Sequence, residues 1–204
     1  ILIVGDVMLD KYYFGKVDRI SPEAPVPIVN IQKEESRLGG ASNVANNIVS
    51  LGGHSLLCGV IGHDLFGKEI ERISRHKNID TFLLKTSSPT ITKARIIGGK
   101  QQIVRVDYED KSELNADNKK LFRDTISRIL PEYDILVISD YGKGLISEDL
   151  CRYLIKLAHK YDKKVIIDPK GKNWEKYSGA DIVTPNVKEL SDIVGYTVPN
   201  TDRA

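Results

Sequence analysis

Hydrophobic and polar positions along the chain follow two patterns. In the first, Ile1–Val4, Leu56–Ile61, Ile135–Ser139 and Val165–Asp168 are strand-sized apolar runs, with a shorter one at Asp181–Thr184. Between them lie stretches with helical spacing: Ala41 to about Leu51, Leu65–His76, Ala116–Leu130, Glu148–Lys160 and Val187–Val194. In Leu65–His76 the residues Phe66, Ile70 and Ile73 make one apolar stripe, and Pro131 closes the helix that precedes it. Apolar strands separated by helices predict an α/β fold, a mostly parallel central sheet with helices on both faces.

The second pattern is alternation. Val26–Glu34, Thr92–Ile97 and Ile103–Tyr108 switch between apolar and polar residues, and Gly98-Gly99 reads as the turn between the last two. Such strands have one wet face, so they predict a small antiparallel sheet outside the main layer, a lid or a dimer contact. Thr81–Leu84 is also strand-like, whereas Asp10–Asp18 is a polar segment interleaved with aromatics.

Open parallel sheets bind ligands beyond the carboxyl ends of their strands. The polar residues there are Gly5-Asp6 with Asp10 downstream, Gly62-His63-Asp64, Ser139-Asp140-Tyr141, Asp168-Pro169-Lys170-Gly171 and Thr184-Pro185-Asn186. Gly39-Gly40 precedes the helix from Ala41, and a glycine pair lets backbone approach a ligand where the helix presents unpaired N–H groups. Asn43 falls in its first turn, able to donate and accept. That suits a polyhydroxylated or phosphorylated small molecule, although a tight turn also explains the pair. Asp10 has two readings: a carboxylate for sugar hydroxyls or a solvated aspartate. Lys93 and Arg95 share a strand face, with Lys100 and Arg105 nearby. This cluster either clamps a phosphate or protects a sheet edge. Asn186 and Glu189 have the spacing of a helix capping box, and Glu189 is also placed to hold Mg²⁺ through water.

Composition excludes more than it selects. The chain has 204 residues, 41% hydrophobic and 28% charged, which fits one folded domain. Thirty basic against 28 acidic residues leave a net charge of +2, too balanced to argue for nucleic acid or an anionic membrane surface. No run approaches membrane-spanning length and no leader pattern is visible, so a cytoplasmic location is expected. Cys58 and Cys151 sit in apolar patterns as buried thiols. Gly62–Glu69 nearly spells a P-loop but places Glu69 where a hydroxyl should meet Mg²⁺, which leaves Asp64 as a helix cap. No Gly-x-Gly-x-x-Gly occurs, and the four histidines lack metal-ligand spacing.

Several blocks together resemble one family. They are Gly39-Gly40-Ala41-Ser42-Asn43-Val44-Ala45, Gly59–Gly67, Arg19–Pro27, Thr90–Arg95, Gln101–Asp107, Ser139–Gly144 and Asp168–Gly171 with Thr184–Asn186. The chain resembles the ribokinase-like carbohydrate kinases, and within them the heptose 7-phosphate kinases. The resemblance implies a three-layer α/β/α ribokinase-like fold with a β-lid from about residues 11–34 and 92–108. It implies ATP and Mg²⁺ as cofactors, phosphorylation of a sugar phosphate at its anomeric hydroxyl, and a homodimer formed through the lid. Asp10, Gly39, Gly40 and Asn43 would hold the sugar, while Lys93, Arg95, Arg105 and Lys170 would face its phosphate. Asn186, Val187, Lys188 and Glu189 would match the family's asparagine–glutamate motif on the ATP and Mg²⁺ side.

One departure matters. The family's Gly-Ala-Gly-Asp run, which supplies an anion hole and the catalytic aspartate, does not occur in residues 1–204. The chain also opens inside a strand without a methionine. The expectation is therefore one incomplete kinase domain over 1–204, inactive alone, with no catalytic residue of its own and the base beyond Ala204. Rival readings are another ribokinase-like sugar kinase and a non-catalytic sugar- or nucleotide-binding module.

Overall fold

A computed structural model describes residues 1–110 and 114–199. Ala204 lies outside these described residues. The elements are β1 (Leu2–Gly5), β2 (Val7–Ile20), β3 (Pro27–Gly40), α1 (Ala41–Ser50), β4 (Leu56–Gly62), α2 (Leu65–His76), β5 (Asp80–Thr86), β6 (Thr92–Gly98) and β7 (Gln101–Tyr108). They continue with α3 (Ala116–Ile129), β8 (Ile135–Ser139), α4 (Glu148–Lys160), β9 (Lys164–Asp168), β10 (Ile182–Val183) and α5 (Val187–Val194).

Six strands pair in the order β10-β9-β8-β1-β4-β5, all parallel. Alternation in β1 sends Leu2 and Val4 to one face and Ile3 to the other. Phe122 and Ile126 of α3 and Leu150, Cys151 and Leu154 of α4 cover the first face. Ala41 and Ala45 of α1 and Ile70 and Ile73 of α2 cover the second. These are the expected three layers. The helix ends follow local chemistry: Asp64, Asn115, Ser147 and Asn186 each accept from an N–H in the first turn of their helix. Cys58 and Cys151 are fully buried, and burial pushes both thiols up to about 12, so they are inert packing groups.

The second sheet corrects three expectations. Its order is β3-β2-β6-β7, and β2 runs parallel to β6, so it is mixed rather than antiparallel. The cause is topological: β2 follows β1 and β6 follows β5, both leaving the carboxyl edge of the main sheet in the same direction. The segment Asp10–Asp18 belongs to a strand of 14 residues, paired with a second 14-residue strand that includes Val26–Glu34 only in part. Gly39-Gly40 is no isolated turn. It ends β3, and Gly40, at φ 55°, is the N-cap of α1. The strand-like Thr81–Leu84 lies in β5 and extends the main sheet beside β4.

Candidate functional site

Strand register aligns the residues that face the cleft. Asp10 sits opposite Arg37 on β3 and Lys93 on β6, and Lys93 sits opposite Asp107 on β7. Two residues along, Tyr12 sits opposite Glu35 and Arg95, and Arg95 opposite Arg105. Both rows share one face of the lid, because side chains repeat every second residue. That face overhangs Gly39, Gly40 and Asn43 at the start of α1 and encloses a cleft of about 750 Å³, which Tyr141 also lines.

Within this cleft the charges are organised by pairs. Arg95 Nη1 donates to Asp10 Oδ1 at 2.6 Å, and its guanidinium lies 5.2 Å from the Tyr12 ring centre. Arg37 stacks on the same ring at 4.8 Å and donates to Glu35 at 2.7 Å. Lys93 is different. Burial lowers its pKa, and the neighbouring Lys143 ammonium lowers it further. A half-buried ammonium beside other cations is an unfavourable arrangement that an anionic ligand would relieve.

The rim continues past Tyr141. Burial raises its phenol pKa, and the negative charges of Asp168, Asp10 and Glu189 act in the same direction. Tyr141 therefore stands between the lid cleft and the last helix. There, Asn186 N–H donates to Glu189 Oε2 at 3.0 Å and Glu189 N–H to Asn186 Oδ1 at 2.9 Å, the capping box expected from spacing. Lys170 Nζ donates to Glu189 Oε1 at 2.9 Å. Val187 and Lys188 open α5, a helix with no buried residue.

The structure thus brings Asp10, Gly39, Gly40, Asn43, Lys93 and Arg95 into one cleft. Arg105 lies on the same lid face one strand further out and is engaged with Asp107 at 2.8 and 3.0 Å. Lys170 is not with the lid cations but beside Glu189. Sequence reasoning passed over Tyr12, Glu35 and Arg37, which the alternation of β2 and β3 would have revealed had Asp10–Asp18 been read as a strand. Asp64 caps α2 by accepting from Gly67 N–H at 2.8 Å, and it also holds Thr90 N–H at 2.7 Å and the Thr90 hydroxyl. The near P-loop is therefore a structural turn.

Neither oxygen of Glu189 is free of protein donors, since one takes Lys170 and the other the Asn186 N–H. Among the described residues no group of three or more His, Cys, Asp or Glu side chains converges as a metal cage. A divalent cation bound here would be touched by these side chains through water rather than held in a protein cage.

Comparison with known proteins agrees with this fold. The profile described as pfkB family carbohydrate kinase matches residues 1–203. A relative named Bifunctional protein HldE, from Helicobacter pylori strain P12, is 47% identical over 192 residues, 93% of this chain and 42% of that protein. A relative named D-beta-D-heptose 7-phosphate kinase, from Bordetella bronchiseptica, is 45% identical over 196 residues, 96% of this chain and 61% of that protein. The chain thus spans about 42 to 61% of the length of these two relatives. Phosphofructokinase-2 from Escherichia coli, solved with substrates and products, superposes with a TM-score of 0.75 at 20% identity, over 99% of this chain and 65% of that one. A carbohydrate kinase from Agrobacterium tumefaciens gives 0.70 at 17%, over 95% and 62%. At these identities the two structures speak for the fold.

Proposed function

Because the chain belongs to the pfkB family of carbohydrate kinases, we propose that it is part of an ATP-dependent kinase acting on D-glycero-β-D-manno-heptose 7-phosphate. The transfer goes to the anomeric hydroxyl and gives the 1,7-bisphosphate, a precursor of the heptose in lipopolysaccharide core. The observation that carries this reading is the single cleft joining hydroxyl-binding groups, Asp10, Asn43 and the backbone of Gly39-Gly40, to the cations Lys93 and Arg95. A sugar that already bears a phosphate needs both kinds of group at once. Arg105 extends the cationic face.

The donor side is read from the far rim. Asn186, Val187, Lys188 and Glu189 face the nucleotide, and Lys170, paired with Glu189, stands on the same donor side. Mg²⁺ bound with ATP supplies charge neutralisation of the transferred phosphoryl group. Glu189 would hold that ion through water. The proton acceptor for the sugar hydroxyl is expected from the family's Gly-Ala-Gly-Asp run, which does not occur in residues 1–204.

Exposed Val17, Ile20 and Val26 give the lid an apolar surface, which supports a homodimer through it. Sedimentation of Ile20→Asp against wild type checks that reading, with a shift to monomer expected. No helix among the described residues is long and apolar enough to cross a membrane. ATP as donor fits a cytoplasmic site of action.

The test is direct. The full-length protein with Mg·ATP is assayed for ADP release on heptose 7-phosphate, fructose 6-phosphate and ribose. Turnover on the heptose phosphate far above the others is expected. Turnover on ribose or fructose 6-phosphate alone would move the protein to another branch of the family, and none on any sugar would favour a binding module.

A further inference from the structure

One buried carboxylate behind the cleft belongs to neither ligand. Asp140, at the end of β8, is 2% exposed. Its Oδ1 accepts the Gly142 N–H at 2.7 Å, and its Oδ2 accepts the Tyr177 hydroxyl at 2.7 Å and the Lys176 ammonium. The Tyr177 oxygen in turn accepts the Lys170 N–H at 2.9 Å. A second buried carboxylate, Asp6, takes the Tyr141 N–H at 2.8 Å and the Lys143 N–H at 3.1 Å.

These bonds tie two loops that serve different ligands. Asp6 and Asp140 fix the backbone of Tyr141–Lys143, and this loop carries the phenol that lines the sugar cleft. Asp140 and Tyr177 fix the backbone of Lys170, whose ammonium reaches Glu189 on the donor side. The two segments also meet directly, where the Asp140 N–H donates to the Asp168 carbonyl at 3.0 Å. Burial leaves Asp140 without water to replace a lost donor, so movement of one loop changes the partners available to the other.

We propose that Asp140 and Tyr177 are positioning residues that couple the sugar-phosphate cleft to the nucleotide side of the rim. The inference rests on the kinase reading for the identity of the two ligands. Ordering the Tyr141 loop over bound sugar phosphate fixes Asp140, which fixes Tyr177 and thereby Lys170. Binding of either ligand then favours binding of the other, and the effect is reciprocal.

Calorimetric titration of the full-length protein tests it. The Kd of a non-hydrolysable ATP analogue is measured with and without saturating heptose 7-phosphate. In wild type the sugar phosphate should tighten analogue binding by about fivefold or more. In Tyr177→Phe, which keeps the ring and loses the link to Lys170, that factor should fall toward one, with sugar-phosphate affinity itself within about twofold of wild type. Hydrogen exchange on wild type needs no variant: sugar phosphate alone should slow exchange at 168–171 as well as at 141–143. A wild-type factor of one, an unchanged factor in Tyr177→Phe, or protection confined to 141–143 overturns the coupling while leaving the kinase reading intact. A wild-type protein that binds neither ligand overturns both.

Discussion

The two sheets of this protein solve the same problem in opposite ways. In the central sheet, Leu2, Ile3 and Val4 of β1 are all fully buried, because helices cover both faces. In the lid, most of β7 is exposed, and what orders the strands is backbone pairing plus charge pairs such as Asp10–Arg95. Stability resides in the first sheet, and the proposed recognition in the second. A fully desolvated layer tolerates no unpaired ion, whereas a half-wet layer can present several to a ligand.

Substitutions that set the sheets against each other should break or sharpen this contrast. The largest effect is expected in the core. Phe122→Ala, at a fully buried ring packed 5.8 Å from Phe82, should cost about 3–5 kcal/mol in urea denaturation. The lid counterpart, Val104→Ala at 44% exposure, should cost less than about 0.5 kcal/mol. Comparable losses would erase the distinction.

The glycine pair sharpens it at the seam between the sheets. A Cβ on Gly40, at φ 55°, would lie 2.4 Å from the Asp6 carbonyl oxygen, a backbone atom that cannot retreat. Gly40→Ala should therefore destabilise by about 1–3 kcal/mol, seen as a lower melting temperature. At Gly39 the nearest atom is Asp10 Oδ2, also at 2.4 Å, the end of a side chain that can turn away. Gly39→Ala should lower sugar-phosphate affinity more than it lowers the melting temperature, because the displaced group is the cleft's own carboxylate.

Smaller still is the effect expected at Arg105. Arg105→Ala should weaken sugar-phosphate binding by about tenfold and leave ATP binding unchanged, since one exposed charge-assisted contact is at stake. Equal losses for both ligands, read by titration, would remove Arg105 from the phosphate face.

The smallest effect is a pH slope. Burial raises the Asp6 carboxyl above its ordinary value, against the hydrogen bonds from Tyr141 and Lys143 that pull it down. On raising pH through the window between the unfolded and folded values, the unfolded chain releases its proton first. Asp6 then contributes stability at the acid end that is lost toward neutrality. In Asp6→Asn, where one oxygen can still accept both N–H groups, this part of the stability-against-pH curve should be flatter in denaturant titrations from pH 4 to 7. An unchanged slope would show that Asp6 titrates as an ordinary exposed carboxylate.

Local rules were enough for much of this molecule. The bounds of α2, α4 and α5 follow from apolar spacing and from the caps Asp64, Ser147 and Asn186, because helix periodicity and capping act within four residues. The rim of polar strand ends was legible for a related reason, since a run of apolar residues announces both a buried strand and its end. Tertiary structure alone decided that β2 runs parallel to β6, and that Asp10 meets Arg95 across 85 residues of chain. It also gave Lys170 to Glu189, and gathered Gly142, Lys176 and Tyr177 around Asp140. Those partners are chosen by which strand lies beside which, and no spacing along a single chain encodes that order.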